Sequence, residues 1–178
     1  KYTKLYKAIQ SASELLAEIA ALPHAIATAG VGLEKYQSDW FRIDQHYRWF
    51  TYAHQTADFQ KPLEALKAEV DKQYANKYLY DFGGRWQQAL EPMSEWKSTA
   101  LSPQAKFFDR HVAPIVKDGR TKAVVIISDG MRYEVAEELS SLIRGENRFD
   151  ASLSAVLGSL PSYTQLGMAS LLPQSSLE

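Results

Sequence analysis

The sequence predicts an α/β protein in two parts. An all-helical region covers residues 1–118, and the first part of a parallel-sheet domain covers 119–178. Three observations carry this. Of the 21 Trp, Tyr and Phe residues, 18 lie before position 120. Apolar residues in that first part recur at steps of three and four, the period of a helix with one buried face. After Asp118-Gly119 the pattern changes to an unalternating β-branched run at 123–128, as expected of a strand covered on both faces.

The helices follow in order. Leu5, Ile9, Ala12, Leu16 and Ile19 mark the buried stripe of the first. Pro23 and Gly30 to Gly32 punctuate the chain after it. Leu33, Tyr36, Trp40, Ile43, Tyr47, Phe50 and His54 predict a long helix, ended by Gln60-Lys61-Pro62. Pro62 suits the first turn of a helix carrying Leu63, Leu66, Val70 and Tyr74. Asp81-Phe-Gly-Gly84 reads as a turn. Trp86, Leu90, Met93 and Trp96 predict another helix, interrupted at Pro92. Ser102-Pro103 reads as an N-cap and first-turn pair. No sheet is expected before residue 118. Beyond it, strand 123–128, helix 131–144, strand 152–157 and helix 164–172 predict a parallel sheet with right-handed crossovers.

Composition narrows the classes of function. A net charge of −1 provides no global basic field for nucleic acid or anionic lipid. With no cysteine, disulfides and thiolate metal sites are excluded. No apolar run approaches the roughly 20 residues of a membrane span. The expected location is the cytoplasm. Lys1 in place of an initiator Met, and an end in Ser-Ser-Leu-Glu, predict a piece of a longer protein.

Chemistry concentrates in Val-Val-Ile-Ile-Ser-Asp129-Gly130 and Leu-Pro-Ser162-Tyr-Thr164. A carboxylate at the end of a parallel strand sits where open α/β sheets place their ligands, and it is a good ligand for a hard metal or zinc. Asp129 equally reads as a cap of the following helix. Thr164, at a helix start beyond Pro161, reads as a metal-activated nucleophile or as an N-cap. A haloacid-dehalogenase-type nucleophile wants a second acid where Met131 stands. A Walker-B acid wants a glycine-rich phosphate loop. An adhesion-type metal site wants serines where Gly130-Met131-Arg132 stands.

Ile-Ile-Ser-Asp129-Gly-Met-Arg132-Tyr-Glu134-Val-Ala-Glu-Glu-Leu, followed by Leu-Pro161-Ser-Tyr-Thr164-Gln-Leu-Gly167-Met, closely resembles the PglZ family of the alkaline phosphatase superfamily. Some members of that family act in BREX-type phage resistance. The aromatic helix, with Tyr36, Trp40, Phe41, Ile43-Asp44, Tyr47-Arg48 and Phe50, resembles the helical region preceding such domains. The resemblance implies an alkaline-phosphatase-like sheet, truncated here, in a phosphoester hydrolase. It implies Asp129 as metal ligand and Thr164 as nucleophile at the metal, with Ser162 and Ser159 as lesser hydroxyl candidates and Arg132 and Ser162 toward substrate. The implied cofactor is a divalent metal of the intact protein, zinc first, with manganese or magnesium as alternatives. Its further Asp and His ligands would come from later strands, whereas His24, His46, His54 and His111 all precede the first core strand. Weak or absent metal binding and little activity are therefore expected of this piece alone. The expected partners are other phage-defence proteins, with nucleic acid not indicated and no membrane. The alternative function is a non-catalytic scaffold of a defence complex.

Overall fold

A computed structural model describes residues 2–58 and 60–173. Contacts divide the chain into two compact units, Lys1–Pro92 with Tyr133–Glu138, and Met93–Arg132 with Leu139–Glu178.

The first unit is helical. It contains α1 (Thr3–Ala20), α2 (Ala29–Lys35), α3 (Phe41–Gln55), α4 (Glu64–Lys72) and α5 (Gly83–Leu90). Wider π-helical turns at Tyr36–Trp40 and Gln73–Phe82 join α2 to α3 and α4 to α5. α1 buries Ala8, Ala12, Leu15 and Ile19. The predicted stripe is thus rotated: Ile9 is exposed, and alanines take the face on which α1 meets α3. Gly32 lies inside α2, where a Cβ would stand 2.6 Å from the Trp86 ring. Only glycine permits that approach.

The predicted turn at Asp81-Phe-Gly-Gly84 is instead helix. Tyr74, Tyr78 and Phe82 continue one buried face at steps of four. Burying each aromatic outweighs the roughly 1 kcal/mol that a helical glycine costs. Tyr47 stacks on Tyr74 at 3.8 Å between ring centres, and Trp40 meets Phe82 edge-on at 4.8 Å.

Polar groups are buried among these rings. Asp44, 4% exposed, accepts hydrogen bonds from Tyr36 (2.8 Å), Tyr74 (2.6 Å) and Tyr78 (3.1 Å). Burial, then the nearby Asp44 charge, pushes the Tyr78 phenol far above its ordinary range, so it remains a neutral donor. Glu134, wholly buried, accepts from Arg48 Nε at 3.1 Å. Glu138 receives Arg48 Nη2 and, at 3.1 Å, Trp49 Nε1. Glu134 and Glu138 are thus both held by side chains of α3.

His46 and His54 are also buried. His46 Nδ1 lies 3.2 Å from Glu14 Oε2, and Nε2 lies 3.6 Å from Glu18 Oε1. Burial lowers the His46 pKa; Glu14 opposes this, and the Arg42 charge adds to it. Above the ordinary histidine value of about 6.5, folded and unfolded chains both carry neutral imidazole. As pH falls through that value, the unfolded chain takes up a proton that folded His46 resists, so stability falls. Burial raises the Glu18 pKa, giving the opposite slope at lower pH. Unfolding followed from pH 7 toward 5 should therefore lose stability more steeply in the parent sequence than in His46→Gln. Parallel curves would contradict this.

The second unit contains β1 (Ser102–Pro103), α6 (Ala113–Val116), β2 (Val156–Leu157) and α8 (Thr164–Ala169). β1 and β2 pair in parallel, Ser102 with Val156 and Pro103 with Leu157. α7 (Tyr133–Gly145) is divided, its first six residues counting with the helical unit. The α/β class with a helical first part holds, with corrections. The sheet begins before residue 118, because Ser102-Pro103 is a strand and not a helix cap. The second strand is only Val156–Leu157 of the expected 152–157. Residues 123–128 form neither strand nor helix. Val124 and Ile126 are 85% and 87% exposed. β-branched composition favours a pleated, packed surface but does not supply the neighbour that a ladder requires. Among the described residues, that neighbour pairing is confined to β1 and β2.

Candidate functional site

The site is built on two loops of the second unit. The first follows the 123–128 run. Met131 N–H reaches Ser128 O at 3.3 Å, closing a tight turn around Asp129 and Gly130. Gly130 has φ +73°, a left-handed conformation that strains any residue with a Cβ. The turn thus turns the chain sharply just after the carboxylate and leaves Asp129 exposed.

The second loop leaves β2 and enters α8. Tyr163 N–H bonds Pro161 O at 3.0 Å, and Gly167 N–H bonds Tyr163 O at 3.0 Å. Thr164 is the first residue of α8, and it is exposed. Its Oγ1 donates to Asp129 Oδ2 at 3.2 Å, across 35 residues of sequence. The loop is held from outside. Trp96 Nε1 donates to Gly158 O at 2.8 Å. Gln104 Nε2 donates to Gly167 O at 2.9 Å, and Gln104 Oε1 accepts from Ser159 N–H at 3.4 Å.

The structure therefore brings Asp129 and Thr164 together. Ser162 is exposed, two residues before Thr164; Ser159 is occupied through its backbone by Gln104. Arg132 is exposed and extended immediately before α7, three residues after Asp129. Sequence reasoning missed Gln104 and Trp96. A single glutamine after Ser-Pro carries no periodic or motif signal, and Trp96 reads from sequence only as the end of a helix that the structure stops at Leu90. A cleft of about 680 Å³ in the helical unit, lined by Lys7, Ser11, Arg48, Trp49 and Tyr52, is lined by none of these site residues.

An exposed carboxylate and a hydroxyl are oxygen donors of the kind a hard cation takes. Their number does not complete a site: among the described residues, no group of three or more His, Cys, Asp or Glu could hold a metal ion. No helix among them is long and apolar enough to cross a membrane.

Residues 107–178 match the family described as the BREX system PglZ alkaline phosphatase-like domain. The chain is 36% identical over 181 residues to alkaline phosphatase-like protein PglZ of Bacillus cereus (strain H3081.97), covering 99% of this chain and 21% of that protein. It is 43% identical over 150 residues to alkaline phosphatase-like protein BrxZ of Escherichia coli O9:H4 (strain HS), covering 80% and 17%. No solved structure matches it. Over residues 107–178 the chain is thus similar to the PglZ family. It spans about a fifth of the length of the curated relatives it matches.

Proposed function

We propose that a full-length protein carrying this chain is a phosphoester hydrolase of a BREX phage-defence system, acting in the cytoplasm with other defence proteins. Thr164 is the nucleophile and Asp129 the carboxylate that orients it. The observation that carries this is the 3.2 Å hydrogen bond from Thr164 Oγ1 to Asp129 Oδ2, between two exposed side chains that a substrate can reach.

A free threonine hydroxyl is a weak nucleophile. The hydrogen bond fixes its direction, and proton loss is eased toward the carboxylate. In-line attack forms the bond from Oγ1 to phosphorus as the bond to the leaving oxygen breaks; water then cleaves the Oγ1–phosphorus bond. Arg132 and Ser162, near Asp129 and Thr164 in sequence, are the proposed contacts to phosphate oxygens. A divalent cation, zinc or alternatively manganese or magnesium, would supply charge stabilisation of the alkoxide and phosphate oxygens, with Asp129 as one ligand. The remaining ligands would come from elsewhere in the full-length protein. The bare 123–127 run is where further strands of the domain would pair.

The test is turnover of p-nitrophenyl phosphate and bis(p-nitrophenyl) phosphate with zinc, manganese and magnesium. The full-length protein should hydrolyse at least one, and the 178-residue chain neither. A chain as active as the full-length protein would contradict the two-donor argument. A full-length protein that binds metal and turns over neither would favour a scaffold.

A further inference from the structure

We infer that Gln104 is a positioning residue for Thr164; the inference rests on the reading of Thr164 as nucleophile. Gln104 directly follows β1, so the parallel pair of Ser102 with Val156 and Pro103 with Leu157 sets its backbone against β2. Its half-buried side chain then spans the loop that β2 feeds. Oε1 accepts from Ser159 N–H, five residues before Thr164, and Nε2 donates to Gly167 O, three residues after it. One carboxamide therefore ties both flanks of the nucleophile's segment.

The chemistry of the bridge is specific. It needs an acceptor and a donor on one planar group of this length. Glutamate lacks the donor, lysine the acceptor, and methionine both. The reversed amide would set donor against donor at Ser159 and acceptor against acceptor at Gly167, so the two contacts fix its orientation. Trp96 already anchors Gly158, and Ser170 Oγ, wholly buried, donates to the same Gly167 carbonyl at 2.8 Å. What Gln104 alone adds is the link between the two ends. That link holds Thr164 Oγ1 at one distance from Asp129, and placement governs in-line attack steeply: an error near 1 Å costs about a hundredfold.

The experiment uses the full-length protein with bis(p-nitrophenyl) phosphate and p-nitrophenyl phosphate, comparing Gln104→Met, Gln104→Glu and Thr164→Ala. Gln104→Met should lower kcat about tenfold to a hundredfold while KM stays within about threefold. Its thermal midpoint should match that of the unaltered protein. Gln104→Glu keeps the acceptor for Ser159 N–H but sets a carboxylate oxygen against the Gly167 carbonyl, so its kcat should fall too, with KM again little changed. If Gln104→Met does not fold, a lowered kcat in Gln104→Glu supports the inference and an unchanged one overturns it. Unchanged kcat in Gln104→Met, with Thr164→Ala inactive, overturns the inference and leaves the nucleophile standing. An active Thr164→Ala overturns both, since no nucleophile then remains to position.

Discussion

In a full-length protein carrying this chain, Thr164→Ala is expected to remove phosphoester turnover, with a loss on the order of 10⁴ or more in kcat. Metal affinity should change far less. Asp129→Ala should remove turnover too, and it should also weaken metal binding. The difference follows from when each group acts. A carboxylate ligand holds charge near the cation in every state, whereas the threonine oxygen contributes most when it carries charge in the reaction. Isothermal titration with zinc or manganese, beside kcat on bis(p-nitrophenyl) phosphate, separates the two. Equal loss of metal affinity in both variants would contradict the assignment of roles, as would turnover by either.

The second large effect concerns the helical unit. Asp44→Ala should destabilise it by about 3 kcal/mol or more, because three tyrosine hydroxyls lose a buried acceptor at once. Asp44→Asn should cost less: the amide keeps one acceptor, and a tyrosine hydroxyl can rotate to accept from its NH₂. Denaturant unfolding followed by tyrosine and tryptophan fluorescence measures both. An Asp44→Ala chain as stable as the parent sequence would show that the hydroxyls find water or other acceptors without cost.

The helices were legible where burial is periodic. The seam from Tyr36 through Phe50 and the helix from Leu63 through Tyr74 carry their own period, and Pro62 stands in the first turn, as its missing N–H predicts. Legibility failed where tertiary packing overrode local chemistry. Gly83-Gly84 signals a turn, yet Tyr78 and Phe82 on one side and Trp86 on the other keep the helix continuous. It failed again at 123–128, where composition describes a strand but pairing depends on residues far away in sequence. Ser102-Pro103 shows the converse. The dipeptide has the letters of a helix start, and β2 recruits it into a ladder.

The candidate pair was legible as Asp129 and Thr164, because Asp129-Gly130 and Thr164 sit in distinctive loops. Their 3.2 Å approach is a tertiary fact. The supports were not legible. Gln104 and Trp96 act through hydrogen bonds to backbone distant in sequence, which no spacing or composition marks. The buried pair of Glu134 with Arg48, 86 residues apart, was hidden for the same reason.

The most direct test of Thr164 as nucleophile is covalent trapping. The full-length protein would be mixed with bis(p-nitrophenyl) phosphate and its activating metal, quenched in acid within one turnover, digested and read by mass spectrometry. The account predicts a phosphoryl adduct on Thr164 and none in Asp129→Ala. An adduct on Ser162 or Ser159, or turnover that continues with no adduct in Thr164→Ala, would contradict it.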